Sequence, residues 1–211
     1  MDRDEIWRTI DEQRRGLADL FDDLTEREWE TPSLCAGWRV RDVAAHLTLA
    51  QTGVFPALRA LVRARGSVNR MIRDSARRQA ELPVDGYAPM LRAMVGSRVT
   101  APGLSELEPL IDVLVHGQDI AVPLSRTRPM PTEAAAVAAS HVWPALWPFR
   151  AERRLRGVRL VATDHTWTAG EGALVEGPIS AILLLITGRP VALPLLAGPG
   201  VPELEARLSA R

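Results

Sequence analysis

The chain has 211 residues, 46% of them hydrophobic, and its 26 basic residues balance 26 acidic ones for a formal net charge of zero. That balance gives no support for a nucleic acid or an anionic membrane as partner. Every basic residue is Arg, whose planar guanidinium grips carboxylates bidentately where Lys would not. The single cysteine, Cys35, allows no intramolecular disulfide and fits a reducing cytoplasm. Residues 1–5 are charged with no apolar run behind them, so no signal peptide is read. The longest apolar runs, 179–186 and 191–196, fall short of the roughly 18 residues of a membrane span. The expectation is a soluble, cytoplasmic protein.

Residues 3–24 carry Ile6, Ile10, Leu17, Leu20, Phe21 and Leu24 among charges, which is helical periodicity. A turn at Thr31-Pro32-Ser33 continues through Cys35-Ala36-Gly37. A second helix is expected from about 38 to about 65, with an apolar stripe of Val43, Leu47, Ala50, Val54 and Leu58. His46 falls on its inward side. Residues 66–83 are basic and polar with weak helical character. A third bundle helix is read over 87–99, and a fourth over about 105–121, ended ahead of Pro123. These four main helices predict a four-helix bundle over residues 1–128. Residues 129–211 read as a small α+β domain with a leading Ala-rich helix over about 132–146. Within it the alternation of 158–163 predicts a strand, 166–168 its return before Gly170 and Gly172, and Gly177-Pro178 a buried helix over 179–186 stopped by Gly188. Residues 191–195 read as a further strand and 202–208 as a terminal helix.

Asp112 and His116 stand four residues apart in the most uniformly apolar helical stretch of the chain. One turn apart, they share a face. A carboxylate and an imidazole buried there need partners, since leaving them unpaired costs several kcal/mol. Either they form a hydrogen-bonded pair that fixes helix packing, or they bind a metal ion with His46 as third ligand. Two His and one carboxylate suit zinc with an open position, or iron(II).

The run Cys35-Ala36-Gly37-Trp38, followed by Val40-Arg41-Asp42-Val43-Ala44-Ala45-His46-Leu47, resembles the N-terminal signature of the mycothiol-dependent maleylpyruvate isomerase family of DinB-like metal-binding bundles. His116-Gly117-Gln118-Asp119 resembles its second motif. In the tail, Ala162-Thr163-Asp164, Trp167, Gly177-Pro178 and Leu185-Ile186-Thr187-Gly188-Arg189 also match. The resemblance spans nearly the whole chain and implies a mainly α fold, a DinB-like four-helix bundle followed by a small α+β unit. It implies a divalent metal, zinc foremost, on His46, Asp112 and His116. Asp112 stands where the family more often has Glu, which puts coordination mode in question and draws attention to Asp119 or Gln118 as supporting partners. It implies mycothiol, a thiol of actinobacteria, as cosubstrate. A metal-activated thiolate would add to an electrophilic alkene, the bond would rotate, and the thiol would leave. Thiol S-transfer needs the first step alone. Arg189 matches an arginine associated with the active site and suits a substrate carboxylate; a cation favoured at a helix C-terminus is the other reading.

The expected partner is a small electrophile or organic acid, and the sequence leaves monomer and homodimer open. A non-catalytic metal-binding module of stress response or regulation, and a metal-dependent hydrolase, remain the competing readings. Cys35 is read as packing, Trp38 as a wall near the metal. His141 is read as structural or surface and His165 as exposed; Arg63, Arg65, Arg70 and Arg73 read as a solvated basic patch.

Overall fold

The computed structural model describes residues 1–51, 59–60, 62–100 and 105–209. They divide into two compact units, Asp2–Arg128 and Pro129–Arg211, with Met1 grouped with the latter.

In the first unit α1 (Arg3–Asp22) opens with a capping box. The Glu5 amide donates to Asp2 Oδ1 at 2.8 Å and the Asp2 amide to Glu5 Oε2 at 2.7 Å. Its inner stripe, including Ile6, Ile10, Leu17 and Phe21, is buried. A short α2 (Glu26–Trp29) follows, absent from the sequence reading, and is set by a second capping box between Thr25 and Glu28. The loop through Cys35 closes on itself before α3 (Val40–Thr48): the Ser33 amide donates to Trp38 O at 2.9 Å and the Val40 amide to Thr31 O at 2.9 Å. Gly37 supplies the left-handed φ of +75° that this closure needs.

The long second helix expected over 38–65 ends at Thr48 instead. The Thr48 hydroxyl turns back to Ala45 O at 2.7 Å, and a turn follows at 49–51. Val54 and Leu58 lie outside the described residues, while Arg59, Ala60, Val62 and Arg63 are helical. Residues 66–83, read as weakly helical, hold α4 (Val68–Gln79), capped by Ser67. The third bundle helix is shorter than expected, α5 (Tyr87–Ala93). The fourth, α6 (Leu107–Ala121), ends ahead of Pro123 as read. Helix α1 packs on α5 and α6, and α3 packs on α4, α5 and α6.

Two arginines, Arg14 buried and Arg128 half-buried, tie this unit together. Arg14 donates to Met94 O at 2.8 Å and pairs with Asp11 at 3.4 Å, which also takes Arg98 at 2.8 Å. Arg128 donates to Gln13 O and Oε1 at 2.9 and 2.7 Å. A Cβ on Gly117 would lie 2.7 Å from Arg128 Nε, so the helix needs glycine there to admit that guanidinium. Burial pushes Arg128 down to about 10.

In the second unit, α7 (Thr132–Val142) packs on α9 (Ile179–Ile186), and a short α8 (Ala151–Arg154) precedes β1 (Gly157–Ala162). Among the described residues there is one sheet, ordered β2-β1-β3, with β2 (Thr168–Gly170) antiparallel and β3 (Gly172–Gly177) parallel to β1. The chain passes around the start of β1 through Glu171 alone. Gly170 and Gly172 take positive φ there, and a Cβ on Gly172 would run into Gly157 O. These glycines read as the end of a strand in the sequence, which is why β3 was not expected. Residues 191–195 are not a strand but a 3₁₀ turn, Pro190–Leu195, because Pro190 and Pro194 remove ladder donors. The terminal helix is α10 (Val201–Ser209). Among the described residues no helix is long and apolar enough to cross a membrane.

Glu28 links α2 to the chain beyond α6. It accepts from the Thr25 amide at 2.9 Å and from Arg126 Nη2 at 2.8 Å. The Thr25 backbone bond, with Arg126 and the Thr25 hydroxyl, lowers its carboxyl from 4.5 to about 2. A depressed carboxyl stabilises the fold above its unfolded pKa and loses that contribution as pH falls through the folded value. Glu28→Gln is therefore expected to cost about 1 kcal/mol near neutral pH, with the gap to wild type closing between pH 4.5 and about 2, as read by thermal denaturation.

Candidate metal centre

Helix α6 buries Leu110, Ile111, Val113, Leu114 and Val115, and turns Asp112 and His116 onto its remaining face. His46 reaches the same point from α3, after the buried run Val43–Ala45. The His46 and His116 rings meet edge-on, centroids 4.9 Å apart at 84°. His116 Nε2 lies 3.8 Å from Asp112 Oδ1. One ligand atom each from His46, Asp112 and His116 falls within 4.8 Å of the others. The structure thus brings together the three side chains singled out in the sequence. It corrects one expectation: Asp112 is not buried, its side chain being 36% exposed against 16% for His116. Of the two polar residues on that face, Asp112 is the one open to solvent.

The fully buried carboxylate is Asp119, at 0% exposure, one turn beyond His116. His116 Nδ1 and Asp119 Oδ2 are 2.8 Å apart. With Asp119 ionised, Nδ1 is the donor, and Nε2 is left on the side of Asp112. Cys35 Sγ donates to the same Oδ2 at 3.1 Å and lies 3.8 Å from His116 Nδ1. The Leu34 amide donates to Asp119 O at 3.2 Å, so the Cys35 loop is pinned to α6 beside the site. Packing alone does not describe Cys35. The histidine–aspartate spacing of three residues was the available signal for Asp119. Gln118, its alternative, instead donates to Arg128 O at 2.8 Å.

Trp38 stands edge-on to His46 at 5.7 Å and walls the site as expected. Arg189, His141 and His165 belong to the other unit. Arg189 Nη1 donates to Thr187 O at 2.6 Å, at the end of α9. His165 Nε2 is 3.0 Å from Glu133 Oε2, rather than simply exposed. Arg63, Arg65, Arg70 and Arg73 are exposed.

The donor set fits a divalent cation. Nitrogen and carboxylate ligands suit zinc or iron(II), and two atoms each about 2.0–2.2 Å from one ion lie at most about 4.4 Å apart. The 3.8 Å separation of Asp112 and His116 is within that reach. The local field points the same way. Burial opposes charge on His116, but the hydrogen bonds to Asp119 and Cys35 and the charges of Asp112 and Asp119 outweigh it, raising His116 to about 10. Burial and the neighbouring His116 charge hold His46 down at about 4, against the pull of Asp112 and Asp119.

The family "Mycothiol maleylpyruvate isomerase N-terminal domain" matches residues 10–121. Two solved structures superpose at TM-score 0.62 with 14% identity, covering 90% of this chain and 90% of theirs. One is the mycothiol-dependent maleylpyruvate isomerase and the other a histidine-to-alanine variant of it. No curated protein matches the chain. The fold is thus mainly α, DinB-like, with a small C-terminal α+β part. The chain belongs to the mycothiol maleylpyruvate isomerase N-terminal domain family.

Histidine ring NMR of the metal-free protein checks the electrostatics. His46 is expected to stay neutral down to about pH 4, and His116 to stay protonated up to about pH 10. The stability signs are opposite. The His116 contribution is complete below 6.5 and lost as pH rises through about 10. That of neutral His46 is complete above 6.5 and lost as pH falls through about 4.

Proposed function

We propose that the chain is a divalent-metal-dependent, mycothiol-dependent isomerase or thiol S-transferase acting on a small electrophilic molecule, with His46, Asp112 and His116 as metal ligands. The observation that carries this reading is the convergence of those three side chains from two helices, with a buried carboxylate behind one of them. Family membership supplies mycothiol and the isomerase class. A divalent cation held there, zinc foremost, makes a thiolate available near neutral pH by lowering the pKa of a thiol bound to it.

The residues divide the remaining work. His46, held neutral, offers a lone pair with no proton to lose. His116 carries a proton at neutral pH and would give up the one on Nε2 to hold a metal there, while Asp119 keeps Nδ1–H engaged. Asp112, at the rim, supplies charge from the solvent side. Trp38 covers one edge of His46 and limits water there. Arg189 is assigned the grip on a substrate carboxylate, through the bidentate geometry of its guanidinium.

Elemental analysis after chelator-free purification is the first test. About one metal per chain is expected for wild type, and none for His46→Ala or His116→Ala. Asp119→Asn is expected to weaken metal affinity about 10–100-fold, read by chelator competition. Turnover of maleylpyruvate or a generic electrophile should require metal and mycothiol together. Arg189→Ala should lower turnover at unchanged metal content. Absence of metal in wild type overturns the reading. Turnover without thiol makes the chain a hydrolase, and full metal without turnover makes it a non-catalytic metal-binding module.

A further inference from the structure

A cleft of about 1000 Å³ lies wholly within the second unit, between the chain that joins α7 to α8 and the edge where β1 begins and β2 ends. The metal centre uses none of its lining residues. Two indoles supply the apolar walls, Trp143 and Trp147. Trp143 lies against the backbone of Gly170: a Cβ there would stand 3.2 Å from its Cζ2 and Cη2. Glycine at the end of β2 therefore sets the position of that ring. Trp147 is 54% exposed and its neighbour Leu146 85% exposed, so the apolar wall faces water.

Five charged residues line the same cleft: Arg150, Arg153 and Arg156 against Glu152 and Glu171. Arg150 is partly committed, since its Nε donates to Leu146 O at 3.2 Å. Among the described residues the side chains of the other four make no hydrogen bond or ion pair, and all four are exposed. Opposite charges share one cleft without pairing, which leaves each available to a ligand. Three guanidiniums less two carboxylates leave one positive charge.

That census selects a ligand. A cation meets a net repulsion, and a second negative charge on an anion meets the glutamates. A single carboxylate matches the fork of a guanidinium through two parallel hydrogen bonds. A flat aromatic body packs on the indoles and on the planar faces of the arginines. A few polar groups beside apolar walls are what fix orientation in small-molecule sites. We propose that this cleft binds a small aromatic monocarboxylate. Arg153 and Arg156 receive the carboxylate, Trp143 and Trp147 hold the ring, and Glu152 and Glu171 select against a second negative charge.

The test uses 2-naphthoate as probe, titrated by calorimetry into the full chain freed of metal. Saturable binding at one site per chain is expected. The double variant Arg153→Gln/Arg156→Gln should weaken it at least roughly tenfold, and Trp147→Ala by a similar factor. All three residues are exposed, so melting temperatures should not change. The neutral isostere 2-naphthamide and the dianion naphthalene-2,6-dicarboxylate should each bind more weakly than the probe. Glu152→Gln/Glu171→Gln should narrow the gap between the dianion and the monoanion, an effect that unspecific adsorption to an exposed indole does not produce. His46→Ala should bind the probe like wild type. The proposal is overturned if no saturable binding is seen, if the arginine and tryptophan variants bind like wild type, or if the amide binds as well as the acid. It is equally overturned if His46→Ala abolishes binding, which would place the probe at the metal centre. Capture of the chain by phosphatidylglycerol vesicles through Arg153, Arg156 and Trp147, without naphthoate binding, would make the cleft a membrane contact and overturn it as well.

Discussion

The hydrogen bond between His116 and Asp119 is the constraint on which the centre depends. A carboxylate with no exposed surface is expensive to bury, and only partners recover the cost. Asp119 Oδ2 has two, the His116 imidazole at 2.8 Å and the Cys35 thiol at 3.1 Å. Each partner comes with its own backbone. His116 is on the same helix, three residues back. Cys35 is on the loop that leads into α3, and therefore toward His46. One buried oxygen thus fixes an imidazole's orientation and locates the loop ahead of the second imidazole. The main-chain bond from Leu34 to Asp119 repeats that link without involving a side chain.

This arrangement needs a helix that does not move. Helix α6 is held by apolar burial along most of its surface and by the Arg128 guanidinium seated against Gly117. Only glycine leaves room there, directly beside His116. The face outside that apolar burial carries Asp112 and His116. Burial and exposure on one helix therefore separate the supporting carboxylate, Asp119, from the accessible one, Asp112. In the metal reading proposed above, that division gives them distinct roles. Asp119 cannot be reached by solvent and acts through the imidazole. Asp112 stays open to solvent.

Much of this was legible in the sequence because it is local. The helical periodicity of α1 and α6 and the Gly-Pro and Gly punctuation of α9 are short-range signals that tertiary structure respected. The four-residue spacing of Asp112 and His116 also placed them correctly on one face. What was not legible depended on contacts distant in the chain. Asp112 and Asp119 look alike in sequence; only packing against the loop of residues 31–40 decides which is buried. Cys35 reads as a small apolar residue until the loop is folded onto α6. β3 was hidden because Gly170 and Gly172 signal a stop. They instead allow a one-residue passage around β1. The polar character of residues 66–83 concealed α4, whose apolar contacts are few and whose exposed face is rich in Arg.

The two histidines show why the site suits one cation. Their rings are 4.9 Å apart, so charging both is unfavourable. Two carboxylates nearby make charging neither unfavourable as well. The metal-free protein resolves this by placing the proton on His116, where Asp119 and Cys35 provide hydrogen bonds, and keeping His46 neutral. The protonated His116 is thus a monovalent stand-in at a place whose field favours positive charge. On the metal reading proposed above, a divalent cation exchanging for that proton would satisfy the same carboxylates more fully and leave both imidazoles neutral as ligation requires. The opposite shifts of two identical side chains follow from the hydrogen bonds that Asp119 and Cys35 give His116, and from burial and the neighbouring His116 charge acting on His46.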